Sequence, residues 1–342
     1  MAVGYVYDPI YLEHDTGGDP ENSARLAAIM EHLASTSLLT RLVSIPAERA
    51  SLEDLTRIHS PALVERVRRM AERGGGLLEA ETVVSARSYE AALFAAGGAM
   101  AATRAVLAGE VESAFALVRP PGHHATATQV MGFCLFNNVA IAAAWALASG
   151  GVSRLAIVDF DAHHGNGTAA AFEHDPRALF ISLHQYPFYP GTGHWREKYV
   201  RVQTSAPPSL NIPLPAYTGD AGYRQAFERL VAPMLRAFRP ELILVSAGYD
   251  AHWSDPLTWL LLSIDGYRTM ADSLVRLARE LCRGRLVCSL EGGYSPQALA
   301  HGVSATLSAM LDLGYDDPLG PAPVQERPVG ELIETIARWH GL

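Results

Sequence analysis

The residues that could do chemistry are densest between positions 154 and 168, where the chain reads RLAIVDFDAHHGNGT. The apolar run 155–158 is typical of a strand that is buried on both faces. Polar residues follow it at once, and alternate side chains of an extended chain face the same way. Asp159, Asp161 and His163 share this parity, so two carboxylates and an imidazole converge just beyond a buried strand. Such a group is costly to bury unless something neutralises its charge.

A divalent metal ion is the simplest neutraliser of this cluster. The spacing of Asp161 and His163 supplies one oxygen and one nitrogen ligand, which suits zinc and leaves room for a third protein ligand and a water molecule. The alternative is that these residues form a loop that solvates the end of a strand. Five polar groups stand within eight residues here, bracketed by Gly165 and Gly167, and this density favours a site.

The elements that must position the cluster repeat one pattern, an apolar run followed by polar residues. The pattern recurs at 114–118, 178–182, 242–246 and 285–290. Apolar residues at helical spacing lie between several of these runs, notably at 139–148, 223–238 and 267–282. Strands that alternate with helices predict right-handed crossovers and an α/β fold with a mostly parallel sheet. Because ligands of open α/β sheets sit outside the carboxyl ends of the strands, we expect the polar clusters to form one site.

Composition is that of an ordinary globular protein, with 342 residues of which 49% are hydrophobic and 18% charged. A first strand is predicted at 3–7. We expect a single domain over 1–342, with a short Pro-rich tail from about 317 that ends in an amphipathic helix at 329–339. That helix is expected to pack on the main domain rather than to form a second one.

Charge, cysteine content and hydropathy argue against nucleic-acid-binding, secreted and membrane proteins. The formal net charge is −9 and no cluster of five Lys or Arg occurs, so no direct nucleic-acid binding is expected. Three scattered cysteines fit a reducing compartment, and we expect a cytoplasmic protein. Neither a signal-peptide pattern nor an uninterrupted run of about 18 apolar residues is present, so no membrane association is expected. The oligomeric state stays open, and a homo-oligomer is compatible with the sequence.

Five motifs occur in order along the chain: RPPGHHA, DFDAHHGNGT, SLHQYPFYPGTG, AGYDAHWSDPL and LEGGY. Together they resemble the arginase/deacetylase superfamily and, within it, the zinc-dependent histone deacetylase-like amidohydrolases of class II type. The resemblance extends from the first strand to about Leu313. It implies a three-layer αβα fold with a mostly parallel central sheet, and an amidohydrolase that releases acetate from acetylated lysine-type amines.

The resemblance also implies roles for individual residues. The zinc ligands would be Asp161, His163 and Asp250, the last of which follows the apolar run LILVSAGY. Catalysis would involve a histidine pair, its two hydrogen-bond partners and a hydroxyl donor to the oxyanion: His123, His124, Asp159, Asn166 and Tyr294. An asparagine partner, rather than an aspartate, would leave His124 more readily deprotonated and so suited to act as a general base.

The substrate and ion assignments also come from the resemblance. A tunnel for an alkyl stem would be lined by Gly132, Phe133, Tyr189 and Leu257, although Phe133 and Tyr189 could instead be core residues. A structural potassium ion would be held by five residues: Asp159, Asp161, His163, Ser182 and Leu183.

The chain departs from the family pattern at the rim of the site. Thr258 and Trp259 stand where the family usually has Gly-Gly, and the bulky indole is expected to reshape the rim. The carboxylate with which many relatives grip the substrate amide maps to Glu81 or Thr82. Both departures leave the identity of the substrate open.

Four functions compete. The first is deacetylation of lysine-type amines. The second is deacetylation of acetylpolyamines or other small amines, although the apolar Leu257 occupies the position of the acidic gatekeeper of polyamine-specific relatives. A manganese ureohydrolase would need further carboxylates, where this chain has His164-Gly165 and Ala251. A non-catalytic scaffold would normally have lost a ligand or Tyr294, and neither is lost.

Overall fold

The computed structural model describes residues 2–197 and 209–342. The strands are β1 (Val3–Val6), β2 (Val43–Ile45), β3 (Gly75–Glu79), β4 (Thr82–Ser85), β5 (Ser113–Ala116), β6 (Leu155–Asp159), β7 (Ala178–Gln185), β8 (Ser209–Leu214), β9 (Ile243–Ala247) and β10 (Leu286–Leu290). The α-helices are α1 (Ser23–Ser35), α2 (Leu52–Leu55), α3 (Pro61–Glu72), α4 (Ser88–Ala108), α5 (Asn138–Ser149), α6 (Asn166–Phe172), α7 (Asp220–Ala226), α8 (Ala232–Phe238), α9 (Ile264–Cys282), α10 (Pro296–Met310) and α11 (Gly330–His340).

Eight of these strands form one sheet in the order β2-β1-β5-β10-β9-β6-β7-β8. Each neighbouring pair in this sheet is parallel. Helices flank the sheet, and the three-layer α/β architecture confirms the predicted fold class. Strands β6, β9 and β10 are buried at every position, which explains why their sequences are continuous apolar runs without alternation.

The strand order determines which polar segments meet. Strands β5, β10, β9 and β6 lie side by side in the middle of the sheet. Because they are parallel, the segments that follow them leave from the same edge. That edge therefore collects the residues 119–124, 291–294, 248–250 and 159–163, as the sequence predicted.

Helix α4 is the one described helix that is long and apolar enough to cross a membrane by length and composition. Glu90 and Arg104 interrupt its apolar residues, so a criterion of about 18 uninterrupted apolar residues does not detect it. Of its most apolar window, 78% is buried inside the protein. The helix packs on α5 and on β1, β5 and β10, so its apolar surface covers one face of the sheet.

Four of the described strands are not predicted by the sequence pattern. Strands β2 and β8 form the two edges of the sheet, and β3 pairs with β4 in a separate antiparallel hairpin that begins within the run Gly74, Gly75 and Gly76. The hairpin packs against the rest of the protein through the buried residues Thr82 and Val84. Arg66 of α3 also forms a 2.7 Å ion pair with Glu79 of the hairpin. Its turn residue, Glu81, reaches the site described below.

The C-terminal helix α11 buries Ile333 and Ile336. It packs on α7 and on the single π-helical turn Phe227–Val231 that separates α7 from α8. The helix predicted at 223–238 is therefore interrupted by a π turn, which comes just before Pro233, a residue without a backbone N–H.

Candidate active site

Asp161, His163 and Asp250 meet at the carboxyl edge of the sheet, and we call these three candidate ligands the metal-ligand group. Nδ1 of His163 lies 3.1 Å from Oδ1 of Asp161 and 2.9 Å from Oδ2 of Asp250. Both carboxylates are buried, and one ligand atom of each residue lies within 4.8 Å of the other two. Two buried carboxylates and one imidazole cannot neutralise one another fully, so this donor set fits a divalent cation.

Backbone N–H groups hold the remaining oxygen of each carboxylate. Gly292 donates to Oδ2 of Asp161 over 2.8 Å, and Ala162 donates to Oδ1 of Asp250 over 2.8 Å. A Cβ on Gly292 would lie 2.6 Å from a carboxylate oxygen of each aspartate, so glycine is required for this close approach. The other oxygen of each carboxylate is the one that faces His163.

A histidine pair lies beside the metal-ligand group. The rings of His123 and His124 are 4.0 Å apart between centroids. Nδ1 of His123 lies 3.0 Å from Oδ2 of Asp159, and Nδ1 of His124 lies 2.8 Å from Oδ1 of Asn166. The amide nitrogen of Asn166 is directed to Sδ of Met131, at 3.4 Å, so its oxygen accepts the Nδ1–H of His124. Nε2 of His124 consequently carries the lone pair.

The two histidines differ in charge. Burial disfavours a charge on His123, but Asp161 and Asp159 outweigh burial and raise the pKa of His123 well above its usual range. Burial lowers the pKa of His124 well below 6.5, and the neighbouring charge of His123 lowers it further. The surroundings therefore favour the protonated form of His123 and the neutral form of His124, so the two rings differ in their preferred charge because of their environments.

Tyr294 lies in the turn after β10 and is braced on two sides. Its N–H donates to Oδ2 of Asp255 over 2.7 Å. The guanidinium carbon of Arg25 lies 5.1 Å from the centre of the Tyr294 ring, and Nε of Arg25 donates to the carbonyl of Gly293 over 2.7 Å. Burial raises the pKa of Tyr294 well above 10, so its hydroxyl keeps its proton and can donate a hydrogen bond.

Two aromatic rings border the space above the histidine pair. The Tyr189 ring lies 5.2 Å edge-on from His124, and the Phe133 ring lies 5.9 Å from Tyr294. Both rings are partly exposed and lie outside the hydrophobic core, which excludes the alternative that they are core residues. Phe133 has a φ of 64°, which is uncommon for a bulky residue and indicates backbone strain at the site. Gly132 lies directly against His124.

A second buried group consists of His123, Cys134 and Glu291. Burial raises the pKa of the Cys134 thiol well above 9, whereas metal binding requires the thiolate. Oε2 of Glu291 already accepts the N–H groups of Gly122, over 2.7 Å, and of His123, over 3.1 Å. This group therefore suits a metal less well than the metal-ligand group does, and Glu291 instead holds the backbone of the histidine pair.

The sequence matches the family described as "Histone deacetylase domain" over residues 19–310. The chain belongs to the histone deacetylase family. A "Probable deacetylase" of Archaeoglobus fulgidus is 42% identical over 320 residues, which cover 92% of this chain and 88% of that protein. A "Histone deacetylase-like amidohydrolase" of Pseudomonas aeruginosa is 40% identical over 292 residues, which cover 85% of this chain and 75% of that protein.

A solved structure gives the same relationship. The crystal structure of the HDA15 HD domain superimposes with a TM-score of 0.84 at 34% identity and covers 90% of each chain. Proteins of the histone deacetylase family are hydrolytic deacetylases and generally depend on zinc. The chain is therefore a deacetylase of the arginase/deacetylase superfamily, as the motifs indicated.

Thr258 and Trp259, at which the sequence departs from the usual family pattern, both have defined contacts in this deacetylase. The hydroxyl of Thr258 donates to the carbonyl of the metal-ligand residue Asp250. Trp259 is 59% exposed and packs on Phe188, with 5.6 Å between ring centroids. The backbone N–H of Trp259 donates to Oε1 of the buried Gln185 over 2.8 Å, and this hydrogen bond holds the main chain that carries the indole. The neighbouring Leu257 is partly buried.

The residues assigned to potassium lie on the neighbouring strands β6 and β7 and in the segment that follows β6. Asp159 of β6 is in register with Ser182 of β7, and Leu183 follows. The hydroxyl of Ser182 pairs with Nδ1 of His184 at 2.8 Å, and Oδ1 of Asp159 accepts the N–H of Asp161 over 3.1 Å. The side-chain oxygens of Asp159 and Ser182 thus already have protein partners.

Sequence reasoning missed two supports of the site. Phe188 stacks on His163 at 5.4 Å with 27° between the rings, next to the Tyr189 that was assigned instead. Arg25 is buried and pairs with the buried Glu21 over 2.9 Å. The available signal was an arginine beside apolar residues at helical spacing, Leu26, Ile29 and Leu33, and four residues after a glutamate, because a buried charge requires a partner.

Proposed function

We propose that the chain hydrolyses the amide of an acetylated lysine side chain or a closely similar amine, and releases acetate and the free amine. One observation carries this proposal, the gathering of a base and a hydroxyl donor around the metal-ligand group. The ring of His124 lies 6.0 Å from that of His163, and Tyr294 stands two residues after Gly292, whose N–H binds Asp161. The aromatic rings of Tyr189 and Phe133 lie against His124 and Tyr294 and form the walls of the proposed slot. A base, an oxyanion donor and a metal position are the parts that amide hydrolysis requires.

Asp161, His163 and Asp250 would hold Zn²⁺, because their three converging ligand atoms match its preference for oxygen and nitrogen. When bound there, zinc supplies Lewis acidity to the amide carbonyl and lowers the pKa of water to about 7. Three protein ligands leave a position open, as catalytic rather than structural zinc sites do.

His124 takes the proton of the attacking water through Nε2. Its Nδ1–H remains fixed on Asn166, so the tautomer is correct before the substrate arrives. After the attack, His124 returns this proton to the departing amine nitrogen, and the C–N bond breaks. Because Asn166 is neutral, it orients the ring without raising its basicity as a carboxylate would.

Tyr294 donates its hydroxyl hydrogen to the oxygen that becomes negative in the tetrahedral state. His123, whose protonated form Asp161 and Asp159 favour, lies beside His124 and disfavours a positive charge there, which helps His124 to give up the proton. Asp159 fixes His123 through the 3.0 Å contact at Nδ1.

The slot favours a straight, uncharged stem. Phe133 and Tyr189 supply apolar aromatic rings for contact with methylene groups, and Gly132 adds no side chain beside them. Leu257 presents no charge to a distant ammonium, which favours an acetylated lysine over an acetylated polyamine. The acetylpolyamine is the second candidate, since the carboxylate of Glu81 lies at the Tyr189 wall of the slot and is an acidic partner for its ammonium.

Acetate release from two substrates, an Nε-acetyl-lysine peptide and an acetylated spermidine, tests the substrate class. The wild type should have the higher kcat/KM on the peptide. Leu257→Glu should raise kcat/KM on the spermidine and lower it on the peptide, whereas Leu257→Gln adds bulk without charge and is the matched control. A wild type that prefers the spermidine would reverse the assignment of substrate.

We further infer that a structural K⁺ is held at Asp159, Asp161, His163, Ser182 and Leu183, where the main-chain carbonyls can supply oxygens that the paired side chains do not. The melting temperature should be higher in potassium chloride than in tetramethylammonium chloride at equal ionic strength. Equal melting temperatures in the two salts would refute the structural potassium ion.

A further inference from the structure

One carboxylate oxygen connects both walls of the slot. The hydroxyl of Tyr189 donates to Oε1 of Glu81 over 2.7 Å. The N–H of Gly132, next to Phe133, reaches the same oxygen at 3.4 Å. These contacts join three segments that are distant in sequence, since Glu81 is 51 residues from Gly132 and 108 residues from Tyr189.

The base of this bridge is a hairpin turn that is anchored on one side by a buried residue. Glu81 lies in the turn between β3 and β4, and the adjacent Thr82 is fully buried. The ends of the bridge lie close to the chemistry, because the Tyr189 ring is 5.2 Å edge-on from His124 and a Cβ on Gly132 would touch that same ring. Burial, and then the carboxylate of Glu81, raise the pKa of Tyr189, so its hydroxyl stays a donor.

We propose that Glu81 fixes the width of the slot by holding Tyr189 and the Phe133 segment at a set spacing, and that it thereby selects straight alkyl stems over wider ones. This inference rests on the proposed function, because the slot matters only if an amine stem crosses it. Glu81 is a positioning residue, since it acts through Tyr189 and Gly132 rather than on the reacting atoms. A phenylalanine at position 189 would keep the wall but lose the bond that holds it.

The test compares two peptides that differ only in the acetylated side chain. One carries Nε-acetyl-lysine and the other carries 4-(acetamidomethyl)phenylalanine, whose phenylene stem is wider. The wild type should favour the lysine peptide strongly in kcat/KM. Glu81→Ala and Tyr189→Phe should each reduce this ratio about tenfold, the size expected when one charge-assisted hydrogen bond is lost. The change should appear mainly in KM, because the reacting groups are retained.

Two further variants separate the bridge from a direct contact between Glu81 and the substrate. The double variant should be no less selective than either single variant, because both remove the same bond. Glu81→Gln retains an acceptor oxygen and should lose less selectivity than Glu81→Ala. If Tyr189→Phe kept the wild-type ratio while Glu81→Gln and Glu81→Ala fell alike, the carboxylate would act on the substrate directly and the bridge would be wrong.

Melting temperatures of the wild type, Glu81→Ala, Tyr189→Phe and the double variant test the bridge without any substrate. The two single variants should lower the melting temperature, and the double variant should lower it no further. Additive losses would overturn the bridge. A wild type that released no acetate from the lysine peptide would refute the proposed function alone, and the melting temperatures would still decide the role of Glu81.

Discussion

Gly132→Ala should disable the site through a single methyl group. A Cβ at this position would lie 2.3 Å from Cδ2 and 2.9 Å from Cγ of His124, whereas ordinary contacts begin near 3.4 Å. The difference between 3.4 and 2.3 Å means that the imidazole or the loop must move by about 1 Å. A misplacement of this size can cost about 10²-fold in rate. We therefore expect kcat to fall by roughly that factor.

The same substitution also carries a backbone cost, which a control can isolate. Gly132 has a φ of 55°, a left-handed conformation that costs an alanine about 1–2 kcal/mol. Gly109 ends α4 with a φ of 75°, and a methyl group there would meet no atom within 4 Å, so Gly109→Ala carries the backbone cost alone. Gly109→Ala should lose about 1–2 kcal/mol of unfolding free energy in urea. Gly132→Ala should lose more, because it adds the clash with His124 to the backbone cost, and only Gly132→Ala should lose activity.

The assay is steady-state acetate release from an Nε-acetyl-lysine peptide, with the zinc content of each protein measured in parallel. Gly132→Ala should retain zinc, because neither His124 nor Gly132 belongs to the metal-ligand group. If Gly132→Ala matched Gly109→Ala in both stability and kcat, the close packing of His124 against this backbone would not limit catalysis, and the reasoning would fail.

Three further predictions concern the metal, the base and pH. Asp250→Ala should lose zinc and activity together, from about one zinc per chain in the wild type; stoichiometric zinc in this variant would refute the ligand assignment. His124→Ala should lower kcat by roughly 10²–10⁴ with zinc retained, and a near-normal kcat would exclude it as the base. His59 donates from Nδ1 to the carbonyl of Thr126 and accepts the N–H of Asn137 at Nε2, each over 2.8 Å. Burial lowers the pKa of His59 to about 4 in the folded protein. As the pH drops from about 6.5 to 4, His59 therefore becomes protonated in the unfolded chain before it does in the folded one. The free energy of unfolding should fall by about 3 kcal/mol over this range because of this group. His59→Gln should flatten that slope in urea titrations, and an unchanged slope would contradict the account.

The central strands could be predicted from sequence because they are buried on both faces. Strand β6 is apolar from Leu155 to Val158, and each of these residues is fully buried. The edge strands lacked that signal. Val43 of β2 is exposed, and β8 contains Asn211 and Pro213, a composition that an edge tolerates and a central strand does not. The hairpin β3–β4 was missed because a glycine-rich, bulged pair has no apolar run to reveal it.

The site was predictable where each group follows a recognisable strand. Asp161 and Asp250 come directly after apolar runs, so parallel strand ends were enough to bring them together. Contacts between distant loops could not be predicted in this way. Nothing in the spacing of Glu81 and Tyr189 signals a hydrogen bond across 108 residues, because a loop-to-loop contact depends on the whole fold.

The most direct test of the central claim is the rate of acetate release from an acetyl-lysine peptide by the zinc-loaded wild type and by Tyr294→Phe. This change keeps the ring against Arg25 and Phe133 and removes only the hydroxyl donor. Since the donor acts on the developing oxyanion, kcat should fall by about 10²–10³ while zinc content is unchanged and KM changes little. A variant that released acetate at the wild-type rate would contradict the assignment of Tyr294, and a wild type that released none would contradict deacetylation of lysine-type amines.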